Sequence, residues 1–343
     1  MGNDLLQGYH SSDKLATVQT TRNMQSESNP SMGDTATTRE DGEQVRSAES
    51  VDSQRTPDGI ETQLPETSGS NGSQTLPKEY EEATFEKNAE FMENIRKETA
   101  EKSPLVCLSE SIDMLYEEYR HGSEVYRQKI MKLKEKHGKI RRCRGDGNCF
   151  YRAFGFAWFE QLMNSKDQNL GQNALTALAS TKPLLDSVGY QSLVYEDFYE
   201  VFEQQLKSAA EGGLDDDRLL SIFQTDEISN QLVLYLRFVT AGYLKKHRES
   251  YEPFLEFDFG MDQFCNKYVE AMDVEADHIH VIALTKALKV PVEIAYMSGS
   301  NAMEQVNFHE FYPETEPTKE YDSLKPLVLL YRPGHYDILY RDE

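Results

Sequence analysis

The chain has 343 residues and a formal net charge of −23 at pH 7, which leaves room for one large domain or two small ones. Such an acidic chain repels the phosphates of nucleic acids and anionic membrane surfaces, so we expect no nucleic acid and no membrane among its partners. The four cysteines show no CxxC spacing, which favours reduced thiols in a cytoplasmic protein that can also enter the nucleus.

Neither a secretory signal nor a membrane-spanning segment is recognisable. The start, MGNDLLQGYH, lacks a basic region followed by an apolar core. The longest apolar run, 232–244, is too short to cross a bilayer and contains Arg237. We therefore expect a soluble protein.

Residues 1–77 are predicted to form a disordered leader that is acidic and polar. Tyr9 is the only aromatic residue among the first 79. Such a segment cannot bury enough apolar area to offset an ordering cost of about 1–2 kcal/mol per residue. A solvated tail is one interpretation of this leader, and a regulated tail with phosphorylation sites is the other.

Residues 78–103 are predicted to form an amphipathic helix that ends before Pro104. Its apolar positions recur at helical spacing: Phe85, Ala89, Met92 and Ile95. This narrow apolar stripe lies on a charged helix. It could pack on the protein's own domain or receive a partner, and the pattern alone leaves both open.

Residues 104–343 are predicted to form one α+β domain, with a helical lobe followed by a small sheet. Two helices are expected before Gly138, and helical patterns then dominate to about residue 290. Thr225, followed by two acidic residues, suits a helix start. The end of the chain is rich in β-forming residues, with strands expected at 292–297, 326–332 and 335–341 and a turn at Pro333-Gly334.

The stretch RGDGNCFYRAFGF places Cys149 after a turn-forming run and at the predicted start of a helix. The partial positive charge at a helix N-terminus lowers the pKa of a thiol from its usual value near 8.5. Such a turn can also direct N–H groups at an oxyanion. Cys149 is therefore either an ordinary core residue or a nucleophile that needs a base.

A base is available at the other end of the chain, in PGHYDILY. His335 and Asp337 are two residues apart on a predicted strand, so their side chains share one face while Tyr336 points away. Asp337 can then orient the imidazole, and the free ring nitrogen can face Cys149. The alternative is a strand with an ordinary polar edge.

The other candidate ligands and thiols carry weaker signals. His278 and His280 resemble a metal pair, but side chains two apart on a helix diverge by about 200°, so we expect no metal. Cys143 is interpreted as a core residue on a strand. Cys107 and Cys265 are interpreted as core residues in a helical context.

Three segments, DGNCFYRAFGF, DHIHVIAL and LLYRPGHYDILY, resemble the otubains, a branch of the ovarian-tumour-domain (OTU) cysteine deubiquitinases. They occur in the family's order with compatible spacing, and the resemblance covers about residues 80–341. It implies a papain-like OTU cysteine protease fold. It also implies hydrolysis of the isopeptide bond at the carboxyl end of ubiquitin, with ubiquitin and polyubiquitin chains as partners.

By motif position, the resemblance implies that Cys149 is the nucleophile, His335 the general base and then acid, and Asp337 the orienting acid. In the family, Asp146 also counts with the active site, because its loop helps to form the oxyanion hole. A turn-capping carboxylate is the other interpretation of Asp146, and both can hold. No metal or cofactor is implied, and we expect a monomer.

One type of otubain carries an N-terminal extension whose helical part touches the proximal ubiquitin. That type prefers 48-linked chains and binds charged ubiquitin-conjugating (E2) enzymes without using its cysteine. The leader and the helix at 78–103 make this chain similar to that type. The alternative function is therefore a mainly non-catalytic inhibitor of E2 enzymes, and a third is a cysteine protease of unrelated substrates. Gly145 departs from the family, where a proline commonly precedes the aspartate, and is expected to loosen the loop.

Overall fold

The computed structural model describes residues 103–165, 167–255, 259–297, 306–313 and 325–342. The predicted leader at 1–77 lies outside these residues, and so does the predicted helix at 78–103 apart from its last residue. Both therefore stay predictions, as do the boundaries between them and the catalytic domain.

The first part of the fold is a strand, two helices and a second strand: β1 (Val106–Ser111), α1 (Ile112–Glu118), α2 (Glu124–Lys134) and β2 (Lys139–Cys143). The helix pair predicted before Gly138 is confirmed. The side chain of Ser111 caps α1 by accepting from the N–H of Asp113. The interpretation of Cys107 as helical is wrong, because β1 is held by pairing with β2, which its local pattern does not show.

The helical lobe follows the second strand and confirms the helical pattern predicted to about residue 290. Its helices are α3 (Cys149–Met163), α4 (Gln168–Ala179), α5 (Thr181–Ser187), α6 (Ser192–Ala210), α7 (Asp216–Gln224), α8 (Asp226–Lys246), α9 (Arg248–Tyr251), α10 (Met261–Phe264) and α11 (His278–Leu288). A π-helical turn, Cys265–Val269, follows α10. None of the helices in the described ranges is both long enough and apolar enough to cross a bilayer.

The last strands complete a six-stranded sheet: β3 (Val292–Tyr296), β4 (Asn307–Phe311), β5 (Leu327–Arg332) and β6 (His335–Tyr340). The strand order is β1-β2-β6-β5-β3-β4, and all neighbours are antiparallel except β3 and β5. The three predicted strands and the turn at Pro333-Gly334 are confirmed. The expectation that the sheet simply follows the helices is wrong, because β1 and β2 come from the other end of the domain.

The sheet has helices on both of its faces, and its strands alternate between two apolar cores. Ile338 joins the core shared with the helical lobe, whereas its neighbour Leu339 joins the core under α1 and α2. Helix α3 is buried on nearly all sides, with Trp158 and Phe154 almost fully enclosed. These aromatic residues therefore belong to the core of the helical lobe.

The pairing of β2 with β6 determines where the chemistry sits. Because the two strands are antiparallel, with Ile140 opposite Leu339, the end of β2 lies beside the beginning of β6. The chain leaves β2 at Cys143 and enters α3 at Cys149, six residues later. The start of α3 is thereby brought against His335, the first residue of β6.

Candidate active site

Cys149 is the first residue of α3, as the sequence predicts, and its side chain is buried. The preceding turn places Gly147 at φ +80, in the left-handed region that glycine adopts without strain. A Cβ at Gly147 would overlap the backbone carbonyl of Asp273. The N–H of Tyr336 donates to the sulfur of Cys149 across 3.4 Å, so strand β6 contacts the thiol directly.

His335 and Asp337 share one face of β6, as predicted. The Nε2 of His335 lies 2.9 Å from Oδ1 of Asp337, and the imidazole also hydrogen-bonds to the thiol of Cys149. Since Nε2 is engaged by the carboxylate, Nδ1 is the nitrogen available to the thiol. The structure thus brings Cys149, His335 and Asp337 together in one hydrogen-bonded chain.

The carboxylate of Asp337 is fully buried and fully engaged. Its Oδ1 accepts a second hydrogen bond from the N–H of Cys143 at 2.9 Å. Its Oδ2 accepts from the guanidinium of Arg332 at 2.7 Å. Both oxygens are therefore fixed, and the one that faces His335 cannot rotate away without losing these bonds.

The electrostatics of the pair favour an imidazolium beside a carboxylate. Burial opposes the charge on His335, but hydrogen bonds to Asp337 and Cys149 outweigh it and raise the pKa of His335 to about 10. Burial likewise opposes the charge on Asp337, yet the hydrogen bond from His335 and the charge of Arg332 hold the pKa of that carboxyl below its usual value. His335 therefore carries a proton at neutral pH.

Asp146 shapes the turn that precedes Cys149. Its Oδ1 accepts from the N–H of Asn148 at 2.9 Å, and its carboxylate pairs with the buried guanidinium of Arg152 at 2.8 Å. This is the turn-capping arrangement that the sequence analysis gave as one interpretation. A contribution of Asp146 to oxyanion binding stays a prediction.

The two histidines that resembled a metal pair serve the start of α11. His280 accepts from the N–H of Asp277 through Nδ1, and its Nε2 lies 3.2 Å from the carbonyl of Tyr268. Burial lowers the pKa of His280 to about 4, so it is neutral. Among the described residues, no group of three or more metal-ligating side chains occurs.

The remaining cysteines lie away from this arrangement or are enclosed by the core. Cys143 is buried on β2, and burial raises the pKa of its thiol well above the usual value. Cys265 is buried in the π-helical turn, and burial raises the pKa of its thiol to about 12. Both core interpretations are confirmed. Cys107 is half-buried on β1.

Residues 98–341 match the family model of the peptidase C65 otubains, with the geometry above inside the matched region. The chain belongs to the otubain family. It is 38% identical over 249 residues to the human ubiquitin thioesterase OTUB1, an alignment that covers 73% of this chain and 88% of that protein. It is 35% identical to the ovarian tumor domain-containing deubiquitinating enzyme 1 of Arabidopsis thaliana, covering 74% of this chain and 86% of the relative.

Solved otubain structures share the fold described above. A complex of h/ceOTUB1 with ubiquitin aldehyde and UBC13~Ub matches with a TM-score of 0.68 and 29% sequence identity. The match covers 76% of this chain and all of the other. A second complex, with UBCH5B~Ub in place of UBC13~Ub, matches with a TM-score of 0.67 and covers the same share of this chain. The predicted α+β otubain fold is confirmed.

Several residues that hold this otubain site together were missed from the sequence. Arg332 pairs with Asp337 and also with Glu118 of α1, so it connects the acid to a helix on the other side of the sheet. Arg237 of α8 contacts the turn before Cys149. The sequence did offer a signal for Arg237, because a lone charge inside the longest apolar run needs buried partners.

Gly147→Ala is expected to destabilise the protein by more than about 2 kcal/mol and to slow alkylation of Cys149 by iodoacetamide. The new methyl group would combine a left-handed backbone, costing roughly 1–2 kcal/mol, with an overlap on Asp273. Gly212→Ala is the matched control, since Gly212 has φ +76 but open space around it. Equal losses of unfolding free energy for the two variants would contradict the close packing described here.

The stabilising effect of His335 is expected to depend on pH. A group whose pKa is raised on folding contributes stability that is complete below its unfolded pKa and is lost as the pH approaches its folded pKa. The difference in unfolding free energy between wild type and His335→Gln should thus shrink as the pH rises from about 6 to about 10. The decrease should be at least about 1.4 kcal/mol, which corresponds to a pKa shift of about one unit. Urea titrations across this range measure it, and a constant difference would show that His335 does not gain its proton on folding.

Proposed function

We propose that this protein is a cysteine deubiquitinase that hydrolyses the isopeptide bond between the carboxyl end of ubiquitin and a lysine amine. The observation that supports it most is the hydrogen-bonded chain of Cys149, His335 and Asp337 at the start of α3. Membership of the otubain family supports ubiquitin as the substrate class, because its relatives include ubiquitin thioesterases.

Acylation is the first half of the proposed reaction. An imidazolium next to Cys149 favours the thiolate, and the sulfur attacks the carbonyl carbon of the last glycine of ubiquitin. A tetrahedral oxyanion forms and collapses as His335 gives its proton to the departing lysine amine. The C–N bond breaks, the lysine leaves as a neutral amine, and ubiquitin remains on Cys149 as a thioester. His335 is then neutral.

Deacylation is the second half. Neutral His335 takes a proton from a water molecule, whose oxygen attacks the thioester carbonyl. The C–S bond breaks and ubiquitin leaves with a free carboxyl group, whose proton passes to the solvent, while Cys149 regains its sulfur and His335 keeps the proton taken from water. Asp337 stays ionised throughout, because its role is to hold the imidazole and to stabilise the imidazolium.

Not every N–H group of the turn before Cys149 is available to bind the oxyanion. The N–H of Asn148 is already used by Asp146, so it is not available to a substrate oxygen. The N–H of Cys149 opens α3 and has no acceptor within the helix. We assign the N–H of Cys149 as the principal donor, with Asp146 acting by fixing the turn.

Two finer parts of the proposal concern specificity and partners. We propose 48-linked chains as the preferred substrate, from the resemblance to the type of otubain with an N-terminal extension. Binding of charged E2 enzymes is supported by the solved complexes of h/ceOTUB1 with UBC13~Ub and UBCH5B~Ub. The helix predicted at 78–103 is the proposed contact for the proximal ubiquitin.

Cys149→Ala is expected to abolish cleavage of 48-linked di-ubiquitin, because the variant has no nucleophile. Cys107→Ala is the matched control, since Cys107 is the most accessible of the other three cysteines and lies on a different element. Gel-based cleavage of di-ubiquitins of every linkage measures both activity and preference. Cleavage by Cys149→Ala, or its loss in Cys107→Ala, would contradict the assignment of the nucleophile.

Deleting residues 1–102 is expected to impair inhibition of E2-dependent conjugation and cleavage of chains, because the predicted helix is lost. Reaction with a ubiquitin probe that carries an electrophile at its carboxyl end should remain, since that reaction needs only the catalytic domain. Circular dichroism checks that the shortened protein is folded. If it inhibits conjugation and cleaves chains as well as the full chain, the role proposed for this helix is wrong.

A further inference from the structure

Arg237 of α8 is a fully buried cation beneath the turn that leads to Cys149. Its guanidinium lies over the ring of Tyr151, 4.5 Å from the centroid. It donates to four oxygens: the carbonyls of Val269 (3.0 Å), Gly147 (2.9 Å) and Val274 (2.8 Å), and Oδ1 of Asn148 (2.7 Å). None of these four bonds goes to a carboxylate.

A buried guanidinium without a bonded carboxylate is expensive, and an apolar side chain of similar length would cost less. None of the acceptors of Arg237 lies in the sheet: Val269 ends the π-helical turn, and the other three acceptors belong to two loops. One is the turn before Cys149, and the other includes Asp273, which has a strained φ of 64. The contacts of Arg237 therefore serve the geometry of these loops.

The side chain of Asn148 shows what that geometry achieves. Asn148 is the N-cap residue of α3, a position where the side-chain oxygen ordinarily accepts from the N–H two or three residues on. Ser111, Asp167, Asp215 and Asp277 cap their helices in this way. The oxygen of Asn148 makes no such bond, and its backbone (φ −105, ψ 0) is not in the extended conformation of those four residues. It accepts instead from Arg237 and from the N–H of Asp273 at 3.0 Å.

The amide nitrogen of Asn148 is also held away from the helix, since it donates to the carboxylate of Asp273 at 2.8 Å. The first N–H to bond within α3 belongs to Arg152, which donates to the carbonyl of Asn148. The N–H groups of residues 149–151 thus have neither a helical acceptor nor a side-chain cap. They lie at the helix end where Cys149 and a substrate carbonyl would meet.

We propose that Arg237 is a positioning residue that diverts the side chain of Asn148 from capping α3, so that the N–H groups at the helix start remain open to the sulfur of Cys149 and to the substrate oxygen. Arg237 also fixes the carbonyl end of the peptide between Gly147 and Asn148, while Asp146 fixes its N–H end. The proposal rests on the proposed function, because it assigns the unbonded N–H groups at the start of α3 a role in the reaction of Cys149.

Other charged and titratable groups surround this arrangement and are kept in each variant below. The carboxylates of Asp273 and Asp146 and the phenol of Tyr151 lie near Arg237. Arg152 pairs with Asp146, and His335 faces Cys149 from β6. A change at Arg237 or Asn148 leaves all five groups in the chain.

Two variants and a control test the proposal. Arg237→Met removes the cation that engages Asn148. Asn148→Ser removes the amide that bonds to Arg237 and Asp273 and leaves a short hydroxyl side chain at the helix start. Arg141→Met is the control, because Arg141 is also buried, lies over an aromatic ring at 4.4 Å and donates to a backbone carbonyl, but belongs to β2 and makes no contact with the turn.

The measurements are thermal unfolding, the pH dependence of Cys149 alkylation by iodoacetamide, and kcat and KM with a fluorogenic amide of ubiquitin. In Arg237→Met and Asn148→Ser, the pH of half-maximal alkylation should rise by about one unit. Their kcat should fall at least about 10-fold, with KM changed much less, because oxyanion donors act in the transition state. Arg141→Met should lower the melting temperature and leave both quantities as in wild type.

An unchanged alkylation profile and kcat in Asn148→Ser would overturn the proposal, even if Arg237→Met failed to fold. If Arg237→Met changed the alkylation profile and kcat no more than Arg141→Met does, Arg237 would have only a structural role, and the proposal would be overturned as well. Alkylation by a small reagent requires no ubiquitin. A shifted alkylation profile in a protein that does not cleave ubiquitin substrates would therefore support the positioning role while contradicting the proposed function.

Discussion

The buried carboxylate of Asp337 is the interaction on which the rest of the site depends. An ionised carboxylate inside a protein is stable only when its oxygens are bonded, and Asp337 has partners on β2, β5 and its own strand. One of these bonds, from the N–H of Cys143, also joins the end of β2 to β6. The register of β6 therefore determines both the burial of this carboxylate and its contact with His335, because a slip of β6 by one residue would place Asp337 on the opposite face of the sheet.

The nucleophile is placed by a second set of contacts, which come from the helical lobe. α8 supplies Arg237 to the turn before Cys149, and the loop after the π-helical turn supplies Asp273. The base comes from the sheet and the nucleophile from the lobe, so the active site lies where the two layers meet. Contacts in the helical lobe thereby position Cys149, contacts in the sheet position His335, and the hydrogen bond between the two residues connects the layers.

The residues that could be predicted from the sequence are those whose placement follows from short-range rules. A turn followed by an apolar helix placed Cys149, and the two-residue period of a strand placed His335 and Asp337 on one face. Strands β1 and β4 were missed because they are mostly exposed and held by pairing with distant partners. The acceptors of Arg237 were missed for the same reason, since Asn148 lies 89 residues away along the chain.

Mapping of a covalent adduct tests the central claim most directly. The full-length protein would be treated with a ubiquitin derivative that bears an electrophile at its carboxyl end, digested, and analysed by mass spectrometry. The account predicts one adduct per chain, on Cys149, with Cys107, Cys143 and Cys265 unmodified. An adduct on another cysteine, or none on a folded protein, would contradict the assignment of Cys149 and His335 as the reacting pair.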